Sequence, residues 1–167
     1  MNLKSSFLFF LIILFCFTSL LSLVSCDKKR VFDEYKSVGK AWNKDSIVSF
    51  ELPKIDTTKQ YDLFLNIRDN NKYPYNNLFL IVSLEQPDKI IKIDTLEYQM
   101  ANPDGSLLGE GFTDVKESKL IYKERVKFKS GIYKIRIKQA VRKTGKVAGE
   151  EMLQGITDVG FRIEKLE

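Results

Sequence analysis

The sequence predicts an all-β fold: a single antiparallel β-sandwich, jelly-roll-like, behind an N-terminal export leader. Three observations carry that prediction. Apolar and polar residues alternate through most of the chain. Turn-forming residues fall at regular intervals between the alternating runs. No segment keeps a helical period for long. A length of 167 residues suits one domain.

The leader comes first. Lys4 precedes an uncharged stretch from Phe7 to Val24, the layout of a signal peptide. The stretch ends in Leu23-Val24-Ser25-Cys26, aliphatic residues and a small residue ahead of a cysteine. That pattern resembles a bacterial lipobox. The resemblance implies cleavage before Cys26, lipid on the Cys26 thiol and acylation of the new amino terminus. A signal anchor is the competing reading, because Lys28, Lys29 and Arg30 follow. Against it, Thr18, Ser19 and Ser22 weaken the apolar end, and the stretch sits at the lower limit for spanning a bilayer. A multiply acylated cysteine anchors stably without a spanning helix. Residues 1–25 are assigned to the lipoprotein signal peptide, 26–30 to the lipidated cysteine and a short tether, and 31–167 to the β-sandwich.

Within the domain, Val48, Phe50 and Leu52 form one inward face. Tyr61, Leu63, Leu65 and Ile67 form the next. Leu78, Leu80, Val82 and Leu84 share a face, and Phe79 and Ile81 make its reverse apolar, which predicts a central strand. Residues 90–98 make a further strand. Tyr122, Val126 and Phe128 alternate inward, as do Tyr133, Ile135, Ile137 and Val141. With Ser130-Gly131 between them, the spacing predicts a hairpin over 120–141. Glu124 breaks the parity beside Val126, which a bulge near Arg125 explains. Val159, Phe161 and Ile163 form the last strand. Turns fall at Asn43-Lys44-Asp45, Asn70-Asn71, Gln86-Pro87-Asp88 and Asn102-Pro103-Asp104-Gly105. About eight short strands so punctuated predict a sandwich.

Composition narrows the chemistry. There is no histidine, which removes the commonest general base and metal ligand. A Ser-His-Asp triad and a histidine-based zinc site are excluded. Cys16 leaves with the leader and Cys26 carries lipid, so no disulfide is expected despite export. No cofactor beyond the covalent lipid and no metal site is expected. Charge is uneven: from Lys123 to Lys146 the single acid is Glu124, whereas the rest of the mature chain carries an excess of acids.

Three candidate sites follow. Arg125, Lys127 and Lys129 project outward from one arm of the predicted hairpin, and Lys134, Arg136 and Lys138 from the other. Like charges facing across a pair favour an anionic partner: lipid head groups, lipopolysaccharide phosphates or an acidic protein. The alternative is a solvated face guarding an edge strand. Trp42, Tyr73 and Tyr75 form a candidate aromatic platform for sugars or peptide, or else cap the core. The loop from Met100 to Lys119, with Gly105, Gly109 and Gly111, is either a docking loop or a structural one. It matches neither a Ca²⁺ loop nor a phosphate cradle.

Several segments occur in a distinctive order. They are Tyr73-Pro74-Tyr75-Asn76-Asn77-Leu78, Asp94-Thr95-Leu96-Glu97-Tyr98, Gly109-Glu110-Gly111 with Asp114, and Gly155-Ile156-Thr157-Asp158-Val159-Gly160-Phe161-Arg162-Ile163-Glu164-Lys165. Together they resemble the GldH family of gliding motility lipoproteins of the Bacteroidota, over essentially the whole chain. The resemblance implies a lipoprotein of the outer membrane and no catalytic residues. The expected role is a non-catalytic binding or scaffold component of the gliding and associated envelope machinery, with motility or envelope proteins as partners. The alternative is a carbohydrate-binding envelope lipoprotein; an enzyme using carboxylates alone ranks last. Nucleic acid is not an expected partner outside the inner membrane. The basic residues after Cys26 favour the periplasmic leaflet over the cell surface.

Overall fold

The computed structural model describes residues 27–111 and 113–166. The leader and Cys26 lie outside the described residues. Among the described residues, no helix is long and apolar enough to cross a membrane.

The strands are β1 (Arg30–Ser37), β2 (Ala41–Asn43), β3 (Val48–Glu51), β4 (Tyr61–Asn70), β5 (Asn77–Glu85), β6 (Ile91–Gln99), β7 (Val115–Val126), β8 (Lys134–Gln139), β9 (Met152–Gln154) and β10 (Ile156–Lys165). One sheet has the order β1-β10-β4-β7, the other β3-β8-β5-β6, and β2 pairs with β9 in a short ribbon. All pairings are antiparallel. With the ribbon set aside, the long strands are shared between two four-stranded sheets as in a jelly roll.

The predicted inward faces meet between the sheets. Leu63, Leu65, Ile67, Val159, Phe161 and Ile163 from the first sheet are fully buried, as are Leu78, Leu80, Val82, Ile135 and Ile137 from the second. Phe50 of β3 stacks on Phe161 of β10 with centroids 6.4 Å apart, which ties the sheets together. Each such side chain contributes about 1.5–3 kcal/mol on burial. β5 is central, flanked by β8 and β6.

The 120–141 segment is not a hairpin. Its first arm belongs to β7 and pairs with β4. Its second arm is β8, which pairs with β3 and β5 in the other sheet. Both arms alternate because both line the same core, one from each side, and alternation cannot distinguish facing strands from paired ones. The bulge near Arg125 is present. Tyr61 pairs with Val126 and Leu63 with Lys123, leaving Glu124 and Arg125 opposite Asp62. Arg125 takes a φ of 53°, and its N–H donates to Asp62 Oδ1 at 2.8 Å.

Two further differences matter. β1 follows directly on the expected tether and is an edge strand whose only buried residue is Phe32, so it lacks an alternating signal. The loop after Met100 ends at Val115, where β7 begins. It folds back on that strand: Glu110 and Glu117 exchange backbone hydrogen bonds of 2.9 and 2.8 Å.

The registers define two ends of the sandwich. One end carries residues 27–29, 52–60, 86–90, 127–133 and 165–166. The other carries 38–47, 71–76, 100–111, 113–114 and 140–151.

Candidate functional site

The six candidate cations do not form one face. Arg125 and Lys127 belong to the first sheet and its exit. Lys134, Arg136 and Lys138 lie on the outer face of the second sheet. The cross-strand repulsion expected of a hairpin is therefore absent, because the two arms are not neighbours in a sheet. Several cations have acid partners instead: Lys129 lies 2.9 Å from Asp88, Lys134 3.5 Å from Glu51 and Arg136 2.8 Å from Glu85. Lys138 is exposed, with no ion pair among the described residues.

The aromatic platform does not assemble. Trp42 is fully buried, its indole N–H donating to the Ser46 carbonyl at 3.1 Å. Tyr73 is buried too, with its hydroxyl donating to the Asn77 carbonyl at 2.7 Å. These aromatics cap the core. Tyr75 alone is half-buried, packed edge-on against Tyr73 at 5.9 Å, and its hydroxyl donates to Glu150 at 2.6 Å.

The outer face of the first sheet holds a network that sequence reasoning missed. Arg162 of β10 bonds Asp33 of β1 at 2.7 Å, a direct cross-strand partner, and Glu164 at 2.6 Å. It also bonds Asp27. Lys119 of β7 bonds Glu164 at 2.6 Å and sits 4.1 Å from the Phe64 ring centroid. Beside this group, Tyr35 donates to Glu117 at 2.7 Å, and Arg68 donates to the other Glu117 oxygen at 2.8 Å while lying over the Tyr35 ring. Burial pushes the Tyr35 phenol up, and its bond to Glu117 adds to that. Burial also works to raise Glu117, but the bonds from Arg68 and Tyr35 overcome it and hold the carboxyl low. Asp33 and Glu117 are bound to cations on adjacent strands, and Glu164 to Arg162 of its own strand and to Lys119 across β4, so the network fastens β1, β10, β4 and β7 together.

The outer face of the second sheet is different. Ile93 of β6 is 67% exposed, and Ile47 beside β3 is 57% exposed. Ile93 pairs with Ser83, which pairs with Arg136. Ile81 in the next row pairs with Thr95 and Lys138. A partly apolar surface results, with the Arg136–Glu85 and Lys134–Glu51 ion pairs and Lys138 set into it.

A profile of the GldH lipoprotein family matches residues 30–163, nearly all of the described chain. The chain is 71% identical over 143 residues to the gliding motility lipoprotein GldH of Flavobacterium johnsoniae, covering 86% of this chain and 89% of that one. It belongs to the GldH lipoprotein family. A GldH homolog from Christiangramia forsetii is 60% identical over 157 residues, covering 93% of this chain and 96% of that one. Among solved structures, a GH115 4-O-methyl-α-glucuronidase, BtGH115A, has a TM-score of 0.43 at 13% identity, over 86% of this chain and 18% of that one.

The run from Gly155 to Lys165, the most specific piece of the GldH resemblance, has a structural explanation. Gly155 adopts a φ of 84°, and a Cβ there would fall 2.1 Å from the Tyr73 backbone nitrogen. Gly160 leaves room for Tyr35, whose ring carbon would lie 2.9 Å from a Cβ. Ile156, Val159, Phe161 and Ile163 fill the core, and Arg162 is the hub of the outer network.

One group on the inner side has no such account. Asp69 continues the inward parity of Leu63, Leu65 and Ile67 at the end of β4. It is fully buried, and neither carboxyl oxygen has a hydrogen-bond partner. Burial raises it to about 7. Extending the alternation by one step from Ile67 names this residue from sequence alone.

Proposed function

We propose that this chain is a membrane-anchored lipoprotein of the cell envelope and a non-catalytic binding subunit of the gliding machinery. Its 71% identity to a gliding motility lipoprotein supports the motility role. The observation that carries the binding role is the outer face of the second sheet. There, exposed Ile93 shares a row with Arg136, next to the row of Ile81 and Lys138. Exposed apolar patches of this kind mark contact surfaces. Arg136 is already neutralised by Glu85, so Lys138 is the cation that favours an acidic group on an otherwise apolar partner face. Binding is favoured over catalysis because the chain lacks histidine and the carboxylates of the first sheet's outer network are bound to cations. The basic segment after Cys26 favours the periplasmic leaflet of the outer membrane.

The test is pull-down of the intact lipoprotein from cells carrying Ile93→Glu with Lys138→Glu, scored alongside gliding. Both substitutions are on the solvent side, where stability changes stay within about 0.5 kcal/mol. Loss of co-purified protein and of gliding is expected. Unchanged co-purification and gliding refute the assignment. Protease shaving of intact cells tests the leaflet, since a periplasmic domain is protected.

A further inference from the structure

We infer that the end of the sandwich nearest Cys26 is a docking surface for an anionic phospholipid bilayer. The inference rests on the anchored reading above and says how the domain sits once anchored.

Chain connectivity places this end. Asp27, the residue after Cys26, is bonded to Arg162 of the body. The Lys29 carbonyl accepts a hydrogen bond from the Lys165 N–H at 2.9 Å. The sequence suggests a tether at 26–30, but its last residues are part of the fold. One residue spans at most about 3.6 Å, so acyl chains on Cys26 bring this end to the head groups.

The chemistry of the end suits that position. Among the described residues of this end, the acids are engaged: Asp27 by Arg162, Asp56 by Lys59 at 3.2 Å, and Asp88 by Lys129 at 2.9 Å. Lys28, Arg30, Lys54, Lys127 and Lys165 have no ion pair among the described residues. Lys59, Lys127 and Lys165 line one shallow hollow with Gln60 and Leu166, a basic depression of the kind a phosphate group fills. Two isoleucines crown the loops alongside: Ile90 is 53% exposed and Ile132 57%. Those loops are braced against each other, because Gly131 packs on Pro87 and Lys129 bridges to Asp88. Exposed aliphatic side chains and unpaired cations gathered at one end match an interface of acyl chains beneath anionic head groups. The opposite end mixes signs, setting Lys40, Lys72 and Arg142 among Asp104, Glu110 and Asp114.

The test uses the full lipidated chain, reconstituted into vesicles of phosphatidylcholine alone or mixed with phosphatidylglycerol. A fluorophore is attached through Ile132→Cys, and in a control through Thr144→Cys at the far end. Brominated lipid then reports proximity by quenching. Stronger quenching of the 132 label in phosphatidylglycerol vesicles is expected, with little at 144. Salt at about 1 M, where the Debye length falls to about 3 Å, should reverse it without any further substitution. Lys54→Glu with Lys127→Glu should lower the ratio of docked to undocked chains at least about fivefold per cation lost. Quenching that ignores lipid charge or salt, or that is equal at both positions, overturns the surface. A chain that floats with the vesicles and shows no position-specific quenching overturns this inference alone. A chain that does not float overturns the anchored reading and this surface with it.

Discussion

Replacing Asp69 with asparagine should stabilise the protein at neutral pH and leave it unchanged in acid. The side chain is fully buried at the end of the inward face of β4, and both carboxyl oxygens lack partners. Burial raises it from the ordinary 3.8 to about 7. The folded chain therefore holds this proton more tightly than the unfolded chain does. Below 3.8 both states are protonated, and ionisation of the group makes no contribution. As pH rises from 3.8 to about 7, the unfolded state ionises while the folded state does not, so stability falls. Above about 7 the loss is complete and constant. At about 1.4 kcal/mol per pH unit, that window corresponds to about 4 kcal/mol. Asparagine keeps the volume and cannot ionise. Glu117 and Glu164, held low by their cations, give the opposite slope, with stability present above the ordinary 4.5 and lost as pH falls. They do so in both proteins, so the difference isolates Asp69. The assay is urea unfolding of parent and Asp69→Asn across this range. The variant should gain steadily on the parent and level off at about 4 kcal/mol. A variant less stable than the parent above neutrality, or a difference that does not change with pH, refutes the reasoning.

Gly155→Ala should cost about 3 kcal/mol or more, because a positive φ adds strain to a Cβ set against Tyr73 backbone. Gly145→Ala, with a φ of 76° and open space around it, should cost only about 1–2 kcal/mol in the same urea titration. Arg162→Met leaves Asp33 without its cation and Glu164 with Lys119 alone, and should cost about 3 kcal/mol near neutrality. The part due to Glu164, held low by its cations, should be lost as pH falls, and a deficit wholly unchanged in acid counts against the network. Trp42→Ala should cost about 3–5 kcal/mol in thermal or urea unfolding. Tyr75→Ala, outside the buried core, should cost less, and an equal cost for the two would contradict their difference in burial.

The strands were legible wherever one face is buried and the other is not. β4 and β10 show the alternation directly, because each has a core on one side, whereas β5 reads as a nearly continuous apolar run because Phe79 and Ile81 occupy its half-buried outer face. The bulge at Arg125 was legible as a break in parity. β1 was not, since an edge strand with Phe32 as its buried residue carries almost no pattern. The candidate site was less legible than the fold. Exposed cations at 125–138 read as one basic face, but their grouping depended on pairing, and pairing put them in two sheets. Trp42 and Tyr73 resembled a platform because their neighbours are turn residues, but the body of the fold closes over them.

By itself, the sequence determined the fold class, the inward set of core residues, the family and the expected anchor at Cys26. Each of these is local, written in a period of two, in short motifs or in one cysteine after an apolar run. Only the tertiary structure decided which strands are neighbours. It set 115–126 and 134–139 across the core from each other, gathered Asp33, Arg162 and Glu164 onto one face, and left Asp69 without a partner. It also brought Lys54, Lys127 and Lys165 to the end where Asp27 meets the body. The physical reason is that alternation specifies which way a side chain points, whereas sheet pairing specifies what it meets, and that depends on backbone hydrogen bonds between segments far apart in the chain.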